Sequence, residues 1–450
     1  MHASALPSEA SAPWPSAWRG WLAVLLLALA SIVSQFDRTV INLMVGPVKQ
    51  AFALDDTRFG MLQGVAFGIF YVLACIPIGR LADRYQRRLI IAVALASWSV
   101  FAMASGLARS YAQLFLTRIG VAVGEASLTP AGFSMLSDLF PPERLGGPMG
   151  AFLMSSPVGQ GLAFIGGGAL LQWLTTSPVL AAGPLAALAP WQAAFVVVGF
   201  PGLLLVPLWV LLREPERRRL HGERAEEGPL STRAVAAVVS ERRAALVPMF
   251  AGFAFVPLVS YAFAIWTPAL FERSYGWNPA QIGLSFGLIL LVFGTAGAYF
   301  GGYMNDLVAR RGYLDAPLRV AAFGFVGCGV FGALAPLMPS APAALLFLAP
   351  AVFLSNMPYA CAGTALQLIV PNRARAQVSA LYITMTTLIG LGAGPLVVGL
   401  MTDHVFSAPE DIRYSLSIVV GVAAPVSFTL LLAACRPYRE LRRPTRAREL

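Results

Sequence analysis

The sequence has little that ionises. Only 12% of its 450 residues are charged, while 57% are apolar, and soluble domains usually carry about twice that share of charge. An ordinary water-facing surface is excluded. Lysine is nearly absent, since Lys49 is the only one and arginine supplies the rest of the basic charge behind a net +10. The three histidines, His2, His221 and His404, sit in tails or loops, so none is available as a proton carrier within an apolar block. Cys75, Cys328, Cys361 and Cys435 are scattered without paired spacing, which fits neither a disulfide framework nor a metal site. No metal-spaced histidine cluster and no nucleophile–base pair occurs, which argues against an enzyme embedded in the membrane. No cofactor and no bound metal are expected.

What is present comes in blocks of twenty or more apolar residues, long enough to cross about 30 Å of hydrocarbon as helix. Punctuation by glycine, proline and charge divides them into twelve segments, at 18–45, 57–78, 88–107, 111–136, 148–174, 191–212, 246–271, 281–303, 318–337, 343–366, 376–401 and 414–435. The short alternating strands of a β-barrel are missing. Ala28-Leu29-Ala30 imitates a signal-peptidase site, but a long proline-bearing tail precedes it and apolar sequence resumes beyond Asp37-Arg38. Cleavage there is not expected.

The arginines alternate in their placement. One set of loops holds only Lys49, Arg58, Arg109, Arg273 and Arg413, and Arg38 and Arg118 fall inside segments. All other basic residues lie in the tails, the middle stretch and the other set of loops, including Arg80, Arg84, Arg87 and Arg88. Such a bias orients a membrane protein with both termini in the cytoplasm, and it favours an even number of crossings. Charges so placed meet lipid headgroups rather than nucleic acid. A polar stretch near mid-chain contains Arg217-Arg218-Arg219, then Glu226 and Glu227, and turns amphipathic from Ser231 to Leu246. It predicts a linker, 213–245, with a helix lying on the membrane surface, a stretch open also to a regulatory partner. The expected architecture is all-α: twelve transmembrane helices in two six-helix bundles, 1–212 and 246–450.

The two halves repeat one another. Gly79, Asp83, Arg87 and Arg88 after segment 2 recur as Gly302, Asp306, Arg310 and Arg311 after segment 8, all at an offset of 223. A duplicated six-helix unit accounts for the match, and parallel repeats of this kind mark transporter folds. The glycines are expected to let helices approach closely, the aspartates to face helix N-termini, and the arginines to pair with acids or headgroups.

Four ionisable residues fall inside segments: Asp37 and Arg38 in the first, Arg118 and Glu125 in the fourth. Each costs about 2.5–3.5 kcal/mol at a bilayer centre unless paired or wetted. Ser31, Ser34, Arg38 and Asn42 share one face of segment 1, and Arg118 and Glu125, seven apart, share one face of segment 4 with Thr129. The two faces are expected to meet, either as structural salt bridges or as acids and bases that exchange partners when protons bind. The repeat maps Asp37-Arg38 onto neutral Ser260-Tyr261. Coupling is therefore expected in the first half, through Asp37 and Glu125. Neutral contacts are expected in the second, from Tyr261, Trp266, Asn356, Tyr359 and Tyr382, with Thr364 and Thr387 as further polar positions.

Over nearly the whole chain these motifs resemble the major facilitator superfamily. Residues Gly79 to Arg88 look like its signature loop between helices 2 and 3, and RIGVAVGEA from Arg118 to Ala126 is similar to its helix 4 signature, with Ala122 where glycine is usual. A narrower resemblance, to spinster proteins, rests on Phe36-Asp37-Arg38, on Val123 to Ser127, and on Ser137 to Phe140 followed by Pro141-Pro142. The resemblance implies a latch joining Asp83 and Arg87 to Asp138. It also implies proton coupling and a lipid-like substrate, of lysophospholipid or sphingolipid type. The charges confined to the first half place the headgroup of such a substrate near Arg38 and Arg118, whose planar forks suit phosphate oxygens, with Asn42 as a further contact. Proton-driven export of drugs or organic acids stands as the alternative, and a non-transporting receptor as a further one. The expected partners are that small molecule, protons and membrane lipids. The expected setting is a monomer in the inner membrane.

Overall fold

A backbone surrounded by hydrocarbon has no water to bond, so each apolar block satisfies its own N–H and C=O groups by winding into helix. The computed structural model describes residues 14–176, 187–217, 231–406 and 408–443, and no strand occurs among them. Eleven described helices are long and apolar enough to cross a membrane. In chain order they are span 1 (Ala17–Phe52), span 2 (Asp56–Ala82), span 3 (Arg87–Gly106), span 4 (Tyr111–Leu139), span 6 (Pro190–Leu211), span 7 (Arg243–Tyr275), span 8 (Pro279–Arg310), span 9 (Ala316–Leu337), span 10 (Ala341–Ile369), span 11 (Arg373–Phe406) and span 12 (Pro409–Arg442). The helix Gly146–Thr176, 31 residues without a charged side chain, fills the place of span 5. Its glycines, prolines and two glutamines make it less apolar than its neighbours, and with it the architecture has the expected twelve crossings.

Several spans are interrupted. Span 1 tightens to a 3₁₀ turn at Val40–Met44 and restarts at Val45–Phe52. It therefore runs beyond the expected end at 45. Pro47 is no obstacle, because a proline in the first turn of a helix removes no bonded N–H. Spans 8 and 11 carry π turns at Leu290–Gly294, Leu388–Ala393 and Thr402–Phe406, and such turns commonly mark functional places.

The two halves meet on the side away from the termini. Glycines let the backbones touch there: a Cβ on Gly60 of span 2 would lie 2.8 Å from the Pro395 carbonyl oxygen of span 11. One on Gly161 of span 5 would lie 3.0 Å from the Gly287 carbonyl oxygen of span 8. Gly399 abuts the Asp56 carbonyl oxygen in the same way. The core of the second half continues across this seam into Val40, Ile41, Met44 and Phe59 of the first. A separate core around Leu27, Leu95, Trp98 and Met135 holds the first half together.

The mid-chain helix is present as Thr232–Glu241, capped by Ser231 Oγ, which accepts from Ala234 N at 3.2 Å. Val235 is buried, and Val238 and Val239 pack into the core of the second half. The helix is thus docked on that half, against spans 7 and 11. Residues 218–230, with Arg218, Arg219, Glu226 and Glu227, lie outside the described residues.

Candidate functional site

Spans 1 and 4 cross where their charged faces meet. Asp37, Arg118 and Glu125 are 1–2% exposed, and Arg38 Nε forms an ion pair with Glu125 Oε2. The guanidinium of Arg38 lies 4.4 Å from the Phe67 ring centroid and 5.1 Å from that of Tyr71. Stacking on two rings fixes its plane and leaves 23% of the side chain exposed. Arg118 approaches Phe67 as well, at 5.8 Å. Its Nη1 donates to the backbone carbonyl of Asp37 at 3.0 Å, just before span 1 tightens into its 3₁₀ turn. Among the described residues neither Asp37 carboxylate oxygen has a hydrogen-bond partner, nor does Glu125 Oε1 or Arg118 Nε. An acid held without a donor must have its charge balanced by neighbouring charge or removed by a proton.

The local sequence explains the meeting. Span 4 bends after Glu125, where Ser127 Oγ donates to the Gly124 carbonyl at 3.0 Å and a second helix begins at Leu128. Gly124 seats this bend on span 3, because a Cβ there would lie 2.8 Å from Trp98 Cβ. Ala122, the departure from the glycine pattern, is fully buried.

Across the interface stands a wall of tyrosines. Tyr359 of span 10 is 45% exposed, although Ser260 bonds its hydroxyl and Tyr261 and Tyr382 lie near it. Tyr382 of span 11 packs on Phe250 and Phe253, at centroid distances of 5.3 and 6.3 Å. Tyr261 of span 7 rests on the core of the first half and is an electrostatic neighbour of Arg38. The partly exposed guanidinium of Arg38 thus borders the aromatic wall.

Other expected contact residues lie elsewhere. Trp266 is fully buried and its Nε1 donates to the Pro395 carbonyl at 2.9 Å, beside Phe59 of the other half at 5.8 Å. It belongs to the seam between the halves and offers a ligand no surface. Asn42 is buried and accepts from Gln63 Nε2, tying span 1 to span 2. Asn356 turns back onto the Val352 carbonyl at 2.8 Å, next to Gly294 in the π turn of span 8. Thr364 bonds its own helix through the Ala360 carbonyl at 3.2 Å.

The duplicated loops differ. Arg87 is 1% exposed: Nη1 binds Asp138 and the Ser134 carbonyl at 2.8 Å, while Nε binds Glu214 at 2.9 Å. Arg88 donates to the Val210 and Leu212 carbonyls at 2.9 and 2.8 Å. These contacts stay within the first half. The side chain of Asp83 lies outside the described part of the structure. Asp306 and Arg310 are exposed, and no ion pair joins either to another described residue. The close helix approach expected at Gly79 is not found, since a Cβ there meets nothing within 4 Å. At Gly302 it meets only Ala360 Cβ, at 3.8 Å, and Gly301 beside it makes the close contact, against Met357. The motif repeats while the surroundings do not: among the described residues no acid pairs with Arg310 as Glu214 and Asp138 pair with Arg87.

One charged network escaped the sequence. Asp56, 1% exposed, accepts from both terminal nitrogens of Arg273 at 2.7 Å and pairs with Lys49. Asp403 accepts from Asp56 N at 3.2 Å and from Thr57 N and Oγ1 at 2.6 Å. In sequence each of these residues reads as an ordinary loop charge, and no local spacing marks them as partners.

The family follows from the sequence over these same spans. Residues 27–395 match the model of the Major Facilitator Superfamily. The chain belongs to that superfamily. Its curated relatives in the superfamily include an MFS-type efflux pump of Mycolicibacterium smegmatis, 29% identical over 86% of this chain and 85% of the relative. Protein spinster homolog 1 of Homo sapiens is 28% identical over 86% of this chain and 74% of its own length. A probable L-galactonate transporter of Escherichia coli is 25% identical over 94% and 90%. Among solved structures, a bacterial homolog of the human lysosomal transporter spinster, inward-facing and unoccupied, superposes with a TM-score of 0.80 at 24% identity. That likeness covers 96% of this chain and all of the other. This is the alternating-access fold of a superfamily transporter of small molecules, resembling the spinster proteins, and the chain is not an enzyme.

Proposed function

We propose that this superfamily member is a proton-coupled secondary transporter of an amphipathic, lipid-like anion. The carrying observation is the position of Arg38, a partly exposed cation at the boundary between a buried acid–base cluster and a wall of aromatic rings. An anionic headgroup fits its guanidinium fork, and an apolar body fits Tyr71, Tyr261, Tyr359 and Tyr382. Arg118 is buried and spends a nitrogen on the span 1 backbone, so it acts on the headgroup through span 1 rather than by contact. Asp37 takes the coupling proton, and Glu125 tunes it by holding or releasing Arg38. With the seam closed on the side of Asp56 and Asp403, the cavity opens toward the termini. The arginine bias makes that side the cytoplasm of a cell with the protein in its inner membrane, where it acts as a monomer. Arg87, Asp138 and Glu214 form the latch on that side.

The second reading is export of drugs or small organic acids, supported by the likeness to the efflux pump. Uptake into sealed proteoliposomes with an imposed proton gradient separates the two. The expected result is gradient-dependent movement of a labelled lysophospholipid. Movement of organic acids or cationic drugs alone overturns the lipid reading, and gradient-independent movement of every substrate overturns coupling.

A further inference from the structure

Asp315 is fully buried at the start of span 9, yet it takes no part in the site between the halves. Two arginines converge on it, one from its own span and one from the end of span 12. Arg319 Nε binds Oδ1 at 2.9 Å and Arg439 Nε lies 3.5 Å from Oδ2. Both pairs use the Nε, the inner nitrogen of the guanidinium. The two arginine side chains remain 35% and 43% exposed. A third arginine is held alongside, with Arg442 Nη1 donating to the Leu314 carbonyl at 2.9 Å. Tyr313, itself exposed, lies 4.9 Å beneath the Arg319 guanidinium and orders it.

The chemistry of this cluster is unbalanced by design of its contacts. Two guanidinium groups flank one carboxylate and a third is held on the neighbouring Leu314 carbonyl, so positive charge outweighs negative within the cluster. Planar forks held at fixed angles suit the oxygens of a phosphate group. The cluster also lies where the apolar stretches of spans 9 and 12 end, which is headgroup depth, beside an exposed tyrosine of the kind that borders membranes. A loose basic loop attracts lipid too, but it has no buried anchor to hold its forks.

We propose that Arg319, Arg439 and Arg442 form a binding site for the phosphate of an anionic membrane lipid on the second half, anchored by Asp315. The site is separate from the cluster around Arg38, and its occupant is a lipid of the surrounding leaflet rather than cargo. Because spans 9 and 12 both belong to the second half, occupancy braces that half as one body.

The test uses the full chain purified into detergent and stripped of lipid. Native mass spectrometry and thermal unfolding are followed on adding phosphatidylglycerol, phosphatidylcholine or inorganic phosphate. Phosphatidylglycerol is expected to be retained and to raise the unfolding temperature, with phosphatidylcholine at least fivefold weaker. Arg439→Gln should weaken phosphatidylglycerol retention about tenfold, and Arg442→Gln about as much. Arg436→Gln, an exposed residue paired with Glu440 outside the cluster, should leave it unchanged. Because removing Arg439 takes a partner from a buried acid, Arg439→Lys serves as a second variant: it keeps the charge, loses the fork, and should still weaken retention. Equal losses at Arg436 and Arg439 overturn the site in favour of diffuse attraction. Equal binding of phosphatidylcholine overturns its charge selectivity, and inorganic phosphate binding as tightly as the lipid overturns the lipid as its occupant.

Discussion

Arg273, near the end of span 7, grips Asp56, at the start of span 2, through both terminal nitrogens at 2.7 Å. This bidentate pair joins the two halves on the side away from the termini, where the glycine seams also lie. Breaking a buried charge pair by removing one partner costs about 3–5 kcal/mol. Arg273→Gln should therefore shift the balance at least tenfold toward the state open on that side, with Lys49 left to hold part of the charge. Spin-label distances between spans 2 and 11 check it. An unchanged distance distribution would mean that the backbone seam closes this side without the pair.

Two glycines make a sharper contrast. A methyl on Gly399 collides with the Asp56 carbonyl, whereas one on Gly79 meets nothing within 4 Å. Gly399→Ala should open the same seam and slow transport severalfold. Gly79→Ala should leave transport unchanged and stabilise span 2 by about 0.5–1 kcal/mol, the ordinary gain of alanine over glycine within a helix. Transport rate and thermal unfolding measured on both variants decide; a Gly79→Ala protein that transports poorly would restore a special role to that position.

Arg38→Lys keeps the charge but loses the Nε bond to Glu125 and the planar stack on Phe67 and Tyr71. A charged hydrogen bond contributes about 1.5–3 kcal/mol and an exposed cation–π contact about 0.5–1 kcal/mol. Substrate affinity should drop at least tenfold. Equilibrium binding is the measurement, and full tolerance of lysine removes the fork from the account.

Asp37→Asn mimics a protonated acid without altering its shape. Accumulation driven by a proton gradient should vanish, while exchange of substrate without a gradient persists. Glu125→Gln should instead move the pH of half-maximal transport, because it releases Arg38. If Asp37→Asn still accumulates substrate with the parent pH profile, the proton is carried elsewhere.

Glu214 accepts from Arg87 N and Nε and from Arg88 N. Glu214→Gln weakens three bonds to one arginine pair and should destabilise the first half by about 1.5–3 kcal/mol. Thermal unfolding reads the loss, and an unaltered midpoint would reduce this network to surface charge.

Much of the architecture was legible in the chain because hydrocarbon imposes one solution. Twenty apolar residues in a bilayer become a helix whatever their neighbours, so counting blocks counts spans. The glycine-rich span 5 was legible by its lack of charge even though it falls below the hydropathy of the others. The meeting of Arg38 with Glu125 was foreshadowed by helical spacing, since a three- or four-residue period places side chains on a face. Spacing says nothing, however, about which faces pair across separate helices. Trp266 has the composition of a ligand contact, and only its packing against Phe59 and Pro395 puts it in the seam.

What the sequence alone determined is what depends on local chemistry: helices, their number, the bias of arginine and the charged faces of spans 1 and 4. The tertiary structure decided everything that depends on distant partners. Asp56 and Arg273 are 217 residues apart, and Arg87 finds Glu214 at a separation of 127. The same duplicated motif buries Arg87 and exposes Arg310, because burial is set by what the opposing helix brings. A side chain's type limits the bonds it can make, and the fold selects which of them it makes.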